Sequence, residues 1–197
     1  MGIGFSTLNS TLRFDDLAES EFDIRMNTVA VSGGIPLSER WTMYAVLGMI
    51  VNGELNPEMG PDYDVKPGGF VSVGFEYNAV TGIGYKPNVD FSVLVGGAMA
   101  KTENSDDKSK TDYMSTDVRL GIRGSWNINN RLFPFAAVRA FGGPILWKVH
   151  GEDVTGTDIY HYHLSVGTAV KAGPIVAYLE WAAVGEQSLK AGLSFGW

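Results

Sequence analysis

The chain has 197 residues, a formal net charge of −7 and no cysteine. This excludes a disulfide framework, a thiolate metal centre and a cysteine nucleophile, and argues against nucleic acid as a partner, because a phosphate-backbone binder needs a basic stripe. Glycine is high at 25 residues and charged residues are low at 19%, against about 7% and about 25% in average soluble domains; a disordered acidic chain, a coiled coil and a zinc module are excluded, and a β-rich globule or a membrane β-barrel remains, as a single domain over 1–197.

The opening, MGIGFSTLNS, has neither the basic start nor the apolar run of a secretory signal. The longest apolar stretch, Met43 to Val51, is shorter than the roughly 18 residues of a transmembrane helix. The absence of cysteine fits an exported chain, so the expectation is a mature form whose signal peptide is not part of this sequence.

Along the chain a period of two recurs and helical periodicity does not. Strands are predicted over 3–14, 22–35, 41–54, 69–85, 90–102, 113–127, 131–148, 158–172, 174–184 and 187–197. Val71, Val73, Phe75 and Tyr77 oppose Ser72, Gly74, Glu76 and Asn78; Met114, Thr116, Val118, Leu120 and Ile122 oppose Ser115, Asp117, Arg119, Gly121 and Arg123. Tyr160, Tyr162, Leu164 and Val166 oppose His161, His163, Ser165 and Gly167, and Ile175, Ala177, Leu179 and Trp181 lie opposite Tyr178 and Glu180. Gly33-Gly34 and Gly142-Gly143-Pro144 interrupt the parity and read as bulges. Connections near 36–40, 86–89, 128–130 and 172–173 are short, whereas those near 15–21, 55–68, 103–112 and 149–157 are longer and polar or acidic; the last, near 185–186, is short although it falls on the long-loop side. Short turns at one end and long loops at the other describe an antiparallel up-and-down transmembrane barrel of about ten strands, with eight as the alternative.

Alternation alone does not say which face is outward. A soluble lipocalin-like barrel that binds a ligand hides its apolar face, and a membrane barrel shows it. Three features favour the membrane. Aromatic residues gather at segment ends: Trp41, Tyr85, Phe91, Trp126 and Trp197 near the short turns, and Phe14, Phe22, Trp147, Tyr160 and Trp181 towards the long loops, as in the two aromatic girdles of a membrane barrel. The polar face is rich in Gly and Ser, which suits a narrow lumen. The segments run to ten residues or more, longer than the typical strand of about 5–6.

The closing segment SLKAGLSFGW, alternately apolar and ending in an aromatic, resembles the C-terminal assembly signal of bacterial outer-membrane barrels, which implies recognition by the barrel-assembly machinery. In size and rhythm the whole chain resembles the small OmpA/OmpX-like group of Gram-negative bacteria, departing from its eight strands. The resemblance implies a bacterial outer-membrane location, with outer-membrane lipid and lipopolysaccharide as surroundings and porin-like architecture.

On this reading Arg13, Asp23, Arg25, Glu54, Glu76, Asp117, Arg119, Arg123, Arg139, Lys171, Glu180 and Lys190 face inward. Paired, they form a plug; unpaired, they line a narrow solute pore. His163 and Ser165 share a face with Glu180 of the next segment, residue types that build an activated nucleophile. That spacing is similar to outer-membrane lipid A deacylases, which implies a lipid hydrolase as the enzyme alternative, although that family's site faces lipid. His161 and His163 supply two metal ligands, too few for a site. The acidic loops 15–21, 54–64 and 103–112 offer a surface for an envelope protein partner. The expected function is non-enzymatic and without cofactor: a structural or interaction role in the cell envelope, as a single barrel or as a subunit of a larger complex. The narrow pore, the hydrolase and the soluble ligand binder stand as alternatives.

Overall fold

The computed structural model describes residues 1–15, 21–58, 60–82, 86–149 and 152–195. They form thirteen strands: β1 (Gly2–Phe14), β2 (Glu21–Pro36), β3 (Trp41–Pro57), β4 (Tyr63–Val65), β5 (Gly68–Val80), β6 (Asn88–Asn104), β7 (Lys110–Ser125), β8 (Leu132–Gly142), β9 (Ile145–Val149), β10 (Glu152–Asp158), β11 (Tyr162–Ala172), β12 (Ile175–Gly185) and β13 (Gln187–Phe195). Every pairing between them is antiparallel.

The strands close into a barrel whose circumference changes with height. Near the short turns the ring runs β1, β2, β3, β5, β6, β7, β8, β11, β12, β13 and back to β1, ten strands. Near the long loops it runs β1, β2, β3, β4, β6, β7, β9, β10 and back to β1, eight strands. Thirteen strands therefore replace the ten expected because three walls are each broken in two. Proline, which cannot donate to a ladder, interrupts the first at Lys66-Pro67, between β4 and β5, and the second at Gly143-Pro144, between β8 and β9. At Gly143 a Cβ would lie 1.9 Å from the Thr116 carbonyl oxygen, so only glycine lets the two backbones approach there. The third break, at 159–161, lies where the β12–β13 hairpin ends. The chain passes over that hairpin, Ile159 N–H bonding the Thr11 carbonyl at 2.9 Å and Glu186 N–H bonding the Tyr162 carbonyl at 3.2 Å. Gly185 makes the hairpin turn at φ +78°, and a Cβ there would fall 1.8 Å from the Tyr162 oxygen; glycine is required on both counts.

Turn chemistry fixes the short end. Ser38 Oγ accepts from the backbone N–H of Arg40 at 3.3 Å and of Trp41 at 3.1 Å, a Ser-mediated turn. Asn129 and Asn130 take φ of 55° and 56°, the left-handed region that asparagine tolerates. Two expectations fail in detail. Gly33 and Gly34 pair regularly with Ala45 and Tyr44, and the bulge in that ladder lies at Asn27/Thr28. The expected loops 55–68 and 149–157 contain β4 and β10.

The polarity of the wall inverts along the barrel. In the short-turn half the outer face carries Ile3, Phe5, Val31, Leu47, Val71, Leu120 and Val166, all exposed. In the long-loop half the same outward alternation carries Asn9, Arg13, Asp23, Arg25, Glu54 and Asp64, exposed in their turn. Inside, Leu12, Phe14, Phe22, Ile24, Leu55, Tyr63 and Trp147 form a buried core at the long-loop end. The facing expected of a soluble barrel thus holds in one half and the membrane facing in the other. An apolar outer belt is stable in hydrocarbon, where strand edges must also be closed.

This inversion corrects several assignments. Arg13, Asp23, Arg25 and Glu54 lie on the outer face, not in the lumen. Trp147, Phe14 and Phe22 belong to the internal core rather than a girdle: the Trp147 ring centroid is 5.3 Å from both phenylalanines and 4.8 Å from Tyr63. Trp41 and Trp126 are exposed near the short turns, and Tyr160 and Trp181, the latter 57% exposed, sit towards the other edge of the belt. Tyr85 and Trp197 lie outside the described residues, as does most of the 15–21 loop.

Candidate functional site

The lumen of the short-turn half collects the charged side chains, and each arginine is held by carboxylates. On β7, Arg123 Nη2 reaches Glu76 of β5 at 3.2 Å and Asp90 of β6 at 3.1 Å; Asn78 also donates to Asp90 at 2.8 Å. Four residues back along β7, Arg119 bonds Asp117 through Nε and grips Glu186 with both terminal nitrogens, at 2.9 and 3.1 Å. Its guanidinium also lies over the Phe141 ring, 4.9 Å from the centroid, a stacking geometry that suits a planar cation. On β8, Arg139 donates to Glu180 of β12 with both terminal nitrogens.

The positions follow from strand register. Arg139 pairs across to His163, and Glu180 pairs across to Gly167 on one side and Lys190 on the other. Residues directly opposite one another on neighbouring antiparallel strands share a face, and here that face is the lumen. Buried charges of this kind must be paired to offset desolvation, and guanidinium–carboxylate forks supply the pairing with directional bonds.

His163, Ser165 and Glu180 do come together, and all three are buried. They meet on Arg139. Its Nη1 lies 2.9 Å from His163 Nε2 and donates to Ser165 Oγ at 3.3 Å. His163 Nδ1 lies 3.2 Å from Glu186 Oε1. The imidazole is therefore turned to Arg139 and Glu186 rather than to the Ser165 hydroxyl. With Nε2 facing a donor that is always protonated, the neutral tautomer carrying its proton on Nδ1 fits both contacts. His161 is exposed at the β10–β11 break.

Among the network members expected from the sequence, Glu76, Asp117, Arg119, Arg123, Arg139, Glu180 and Lys190 lie in the lumen. Arg25 does not, as stated above. Lys171 is exposed at the short-turn mouth and joins none of the arginine-centred groups. Three carboxyl groups were missed. Asp90 is the third residue of β6, Asp158 closes β10, and Glu186 sits in the connection between β12 and β13. Asp158 accepts from Ser10 at 2.9 Å. For Glu186 the signal was the unusually short connection on the long-loop side, which places its residue inside the ring instead of above it.

Above the network the lumen is not filled. A cavity of about 480 Å³ lies between the core and the charged residues, lined by Leu8, Leu12, Ile24, Ile50 and Ile145 towards the long-loop end and by Arg119, Arg139, Glu180, Glu186 and Lys190 below. At the rim beyond the belt, two acidic loops meet: Ser105 N–H bonds the Asp62 carbonyl at 2.9 Å, and Lys66 bridges Asp64 and Glu103, each at 3.2 Å.

No protein-family model and no curated protein matches the chain. Its fold is similar to three solved outer-membrane barrels. The outer-membrane protease OmpT from Escherichia coli superposes with a TM-score of 0.59 at 10% identity, covering 100% of this chain and 97% of that one. The translocator domain of the autotransporter NalP from Neisseria meningitidis gives 0.52 at 16% identity, with 100% and 88% covered. The transport unit of the autotransporter AIDA-I from Escherichia coli gives 0.52 at 9% identity, with 100% and 90% covered. At these identities the likeness establishes the fold, an outer-membrane β-barrel. It supports that broad class and not the narrower OmpA/OmpX-like group.

Proposed function

We propose that the chain is an integral barrel of the bacterial outer membrane with a structural or interaction role in the envelope, and that it does not conduct solutes. The observation that carries this reading is the closed long-loop end. Phe14, Phe22, Tyr63 and Trp147 pack there with ring centroids 4.8–5.5 Å apart, and interiors packed in this way hold few voids wider than a water. Below them the arginine–carboxylate groups, borne on β5 to β8, on β12 and on its turn to β13, narrow the lumen from one side. Ring size agrees, since barrels of about eight strands are filled by side chains and open channels need about 16–18. The acidic rim formed by the 54–64 and 103–112 loops is the surface offered to an envelope partner.

The test is electrical. The chain is refolded in detergent, its folding is confirmed by the mobility difference between unboiled and boiled samples, and current is recorded across a planar bilayer. A silent, folded barrel is expected. Reproducible steps that change when Arg119 or Glu76 is neutralised would contradict the proposal and make the charged lumen a solute path.

A further inference from the structure

We propose that the lumenal cavity binds a single-chain amphiphile with a carboxylate head, the head on Lys190 and the tail among Leu8, Ile24, Ile50 and Ile145. This rests on the barrel reading above, but not on the absence of conductance. The cavity, about 480 Å³, falls within the roughly 300–1,000 Å³ typical of ligand pockets. It exists because one wall is built of small residues, Gly4, Ser6, Thr28 and Ala30, facing the arginine-bearing strands. Its lining differs in chemistry by strand: aliphatic side chains come from β1, β2, β3 and β9, and ionic groups from β7, β8, β12, β13 and the β12–β13 turn, with Asp158 of β10 beside Leu12. A ligand matching both has an apolar tail and a charged head.

The sign of the head follows from which lumen cation has no carboxylate bonded to it; Asp158, the carboxylate without an arginine, already accepts from Ser10. Arg119, Arg123 and Arg139 are each bonded to carboxylates. Among the described residues Lys190 has neither a hydrogen bond nor an ion pair, although it lines the cavity. Glu180, its cross-strand neighbour, has both oxygens committed to Arg139. An ammonium in a low-dielectric lumen gains most from an anion. One negative charge suits the site better than two, because Asp117, Asp158 and Glu186 also line the cavity and would repel a doubly charged head. Access is from the short-turn mouth: Ser32 faces inward, lines the cavity and is exposed, whereas the opposite end is closed by the aromatic core. A ligand entering tail first reaches the aliphatic end as its head arrives at Lys190.

The experiment is equilibrium dialysis of decanoate, decanol and decylamine against the folded full chain held in amphipol, with protein-free amphipol as reference. Saturable one-to-one binding of decanoate is expected, at least ten-fold tighter than decylamine. Lys190→Gln should weaken decanoate about ten-fold and leave decanol unchanged, and Ala98→Phe, which fills the apolar end, should abolish both. Folding of each variant is checked by the boiled-versus-unboiled mobility difference. If a variant does not fold, the head-group comparison on the unaltered chain decides. No saturable decanoate binding, binding of decylamine as tight as decanoate, or a folded Lys190→Gln variant with undiminished affinity would each overturn the proposal.

Discussion

Trp147 is 1% exposed, packs against Phe14, Phe22 and Tyr63, and donates its indole N–H to Thr102 Oγ1 at 2.8 Å. Truncating it leaves a large cavity and removes one of the two hydrogen bonds at Thr102 Oγ1, the other running to Thr111 Oγ1 at 2.7 Å, so Trp147→Ala should cost about 3–5 kcal/mol, read as a lowered guanidinium midpoint for the barrel refolded in lipid vesicles; an unchanged midpoint would show that the core does not carry the closed end. Glu186 makes the same point for charge. Its carboxylate receives both terminal nitrogens of Arg119, and Glu186→Ala strips a half-buried guanidinium of its fork, leaving Asp117 as its carboxylate partner. The expected loss is about 1–3 kcal/mol, larger than for Glu21→Ala at the exposed Arg13–Glu21 pair on the outer face, where about 0–1 kcal/mol is usual. Neither residue was legible from sequence in its actual role. An indole belongs equally to a membrane interface and to a core, and Trp147 sits at a segment end in both cases. A glutamate in a connection is ordinarily solvated, and only the shortness of this one places it in the lumen.

At the level of elements, the two acidic loops are tied by Lys66, which bonds Asp64 and Glu103, while Lys110, 3.5 Å from Glu103, braces the second loop internally. The hydrogen bond from Lys66, more than any other cause, holds the Glu103 carboxyl below its ordinary value, and the same bond raises Lys66. A depressed carboxyl contributes its stabilisation above the ordinary carboxylate range and loses it as pH falls through the lowered value. The raised lysine contributes below the ordinary lysine range and loses its part only as pH climbs through the raised value, above about 10. A spin label at position 105, introduced through Ser105→Cys, should therefore gain mobility as pH falls below about 4, and at neutral pH when salt is raised. Mobility unchanged by either would remove the clasp. The ten alternating segments were legible because a period of two needs no tertiary information. The breaks were not. β10 carries Val154 and Gly156 inward and Asp153, Thr155 and Thr157 outward, a composition that reads as loop until Phe14 is seen against Gly156, where a Cβ would lie 2.5 Å from its ring.

For the molecule as a whole, the inversion of the wall decides what lies in lipid. One side of the barrel keeps a single parity while its chemistry changes: the odd positions of β1 run Ile3, Phe5, Thr7, Asn9, Thr11, Arg13, and the even ones run Gly2, Gly4, Ser6, Leu8, Ser10, Leu12, Phe14. The change was present in the sequence, but an assumption of one polar face per strand hid it and put Arg13, Asp23, Arg25 and Glu54 inside. In the short-turn half the inward alternation is polar, and seven of the nine network residues expected from the sequence, Glu76, Asp117, Arg119, Arg123, Arg139, Glu180 and Lys190, lie in the lumen. An apolar belt confined to one half means that the other half stands clear of the membrane, its charged residues in water and its aromatics inside. The absence of native cysteine makes this directly measurable. Single cysteines are placed at Leu47, Leu120 and Val166 in the belt and at Asn9, Asp23 and Glu54 beyond it, and the barrel is refolded into lipid vesicles and exposed to a membrane-impermeant maleimide. Rapid labelling at Asn9→Cys, Asp23→Cys and Glu54→Cys with protection at the three belt positions is the predicted result. Labelling of all six at similar rates, or protection of the outer three, would contradict a wall that crosses the membrane with only its short-turn half.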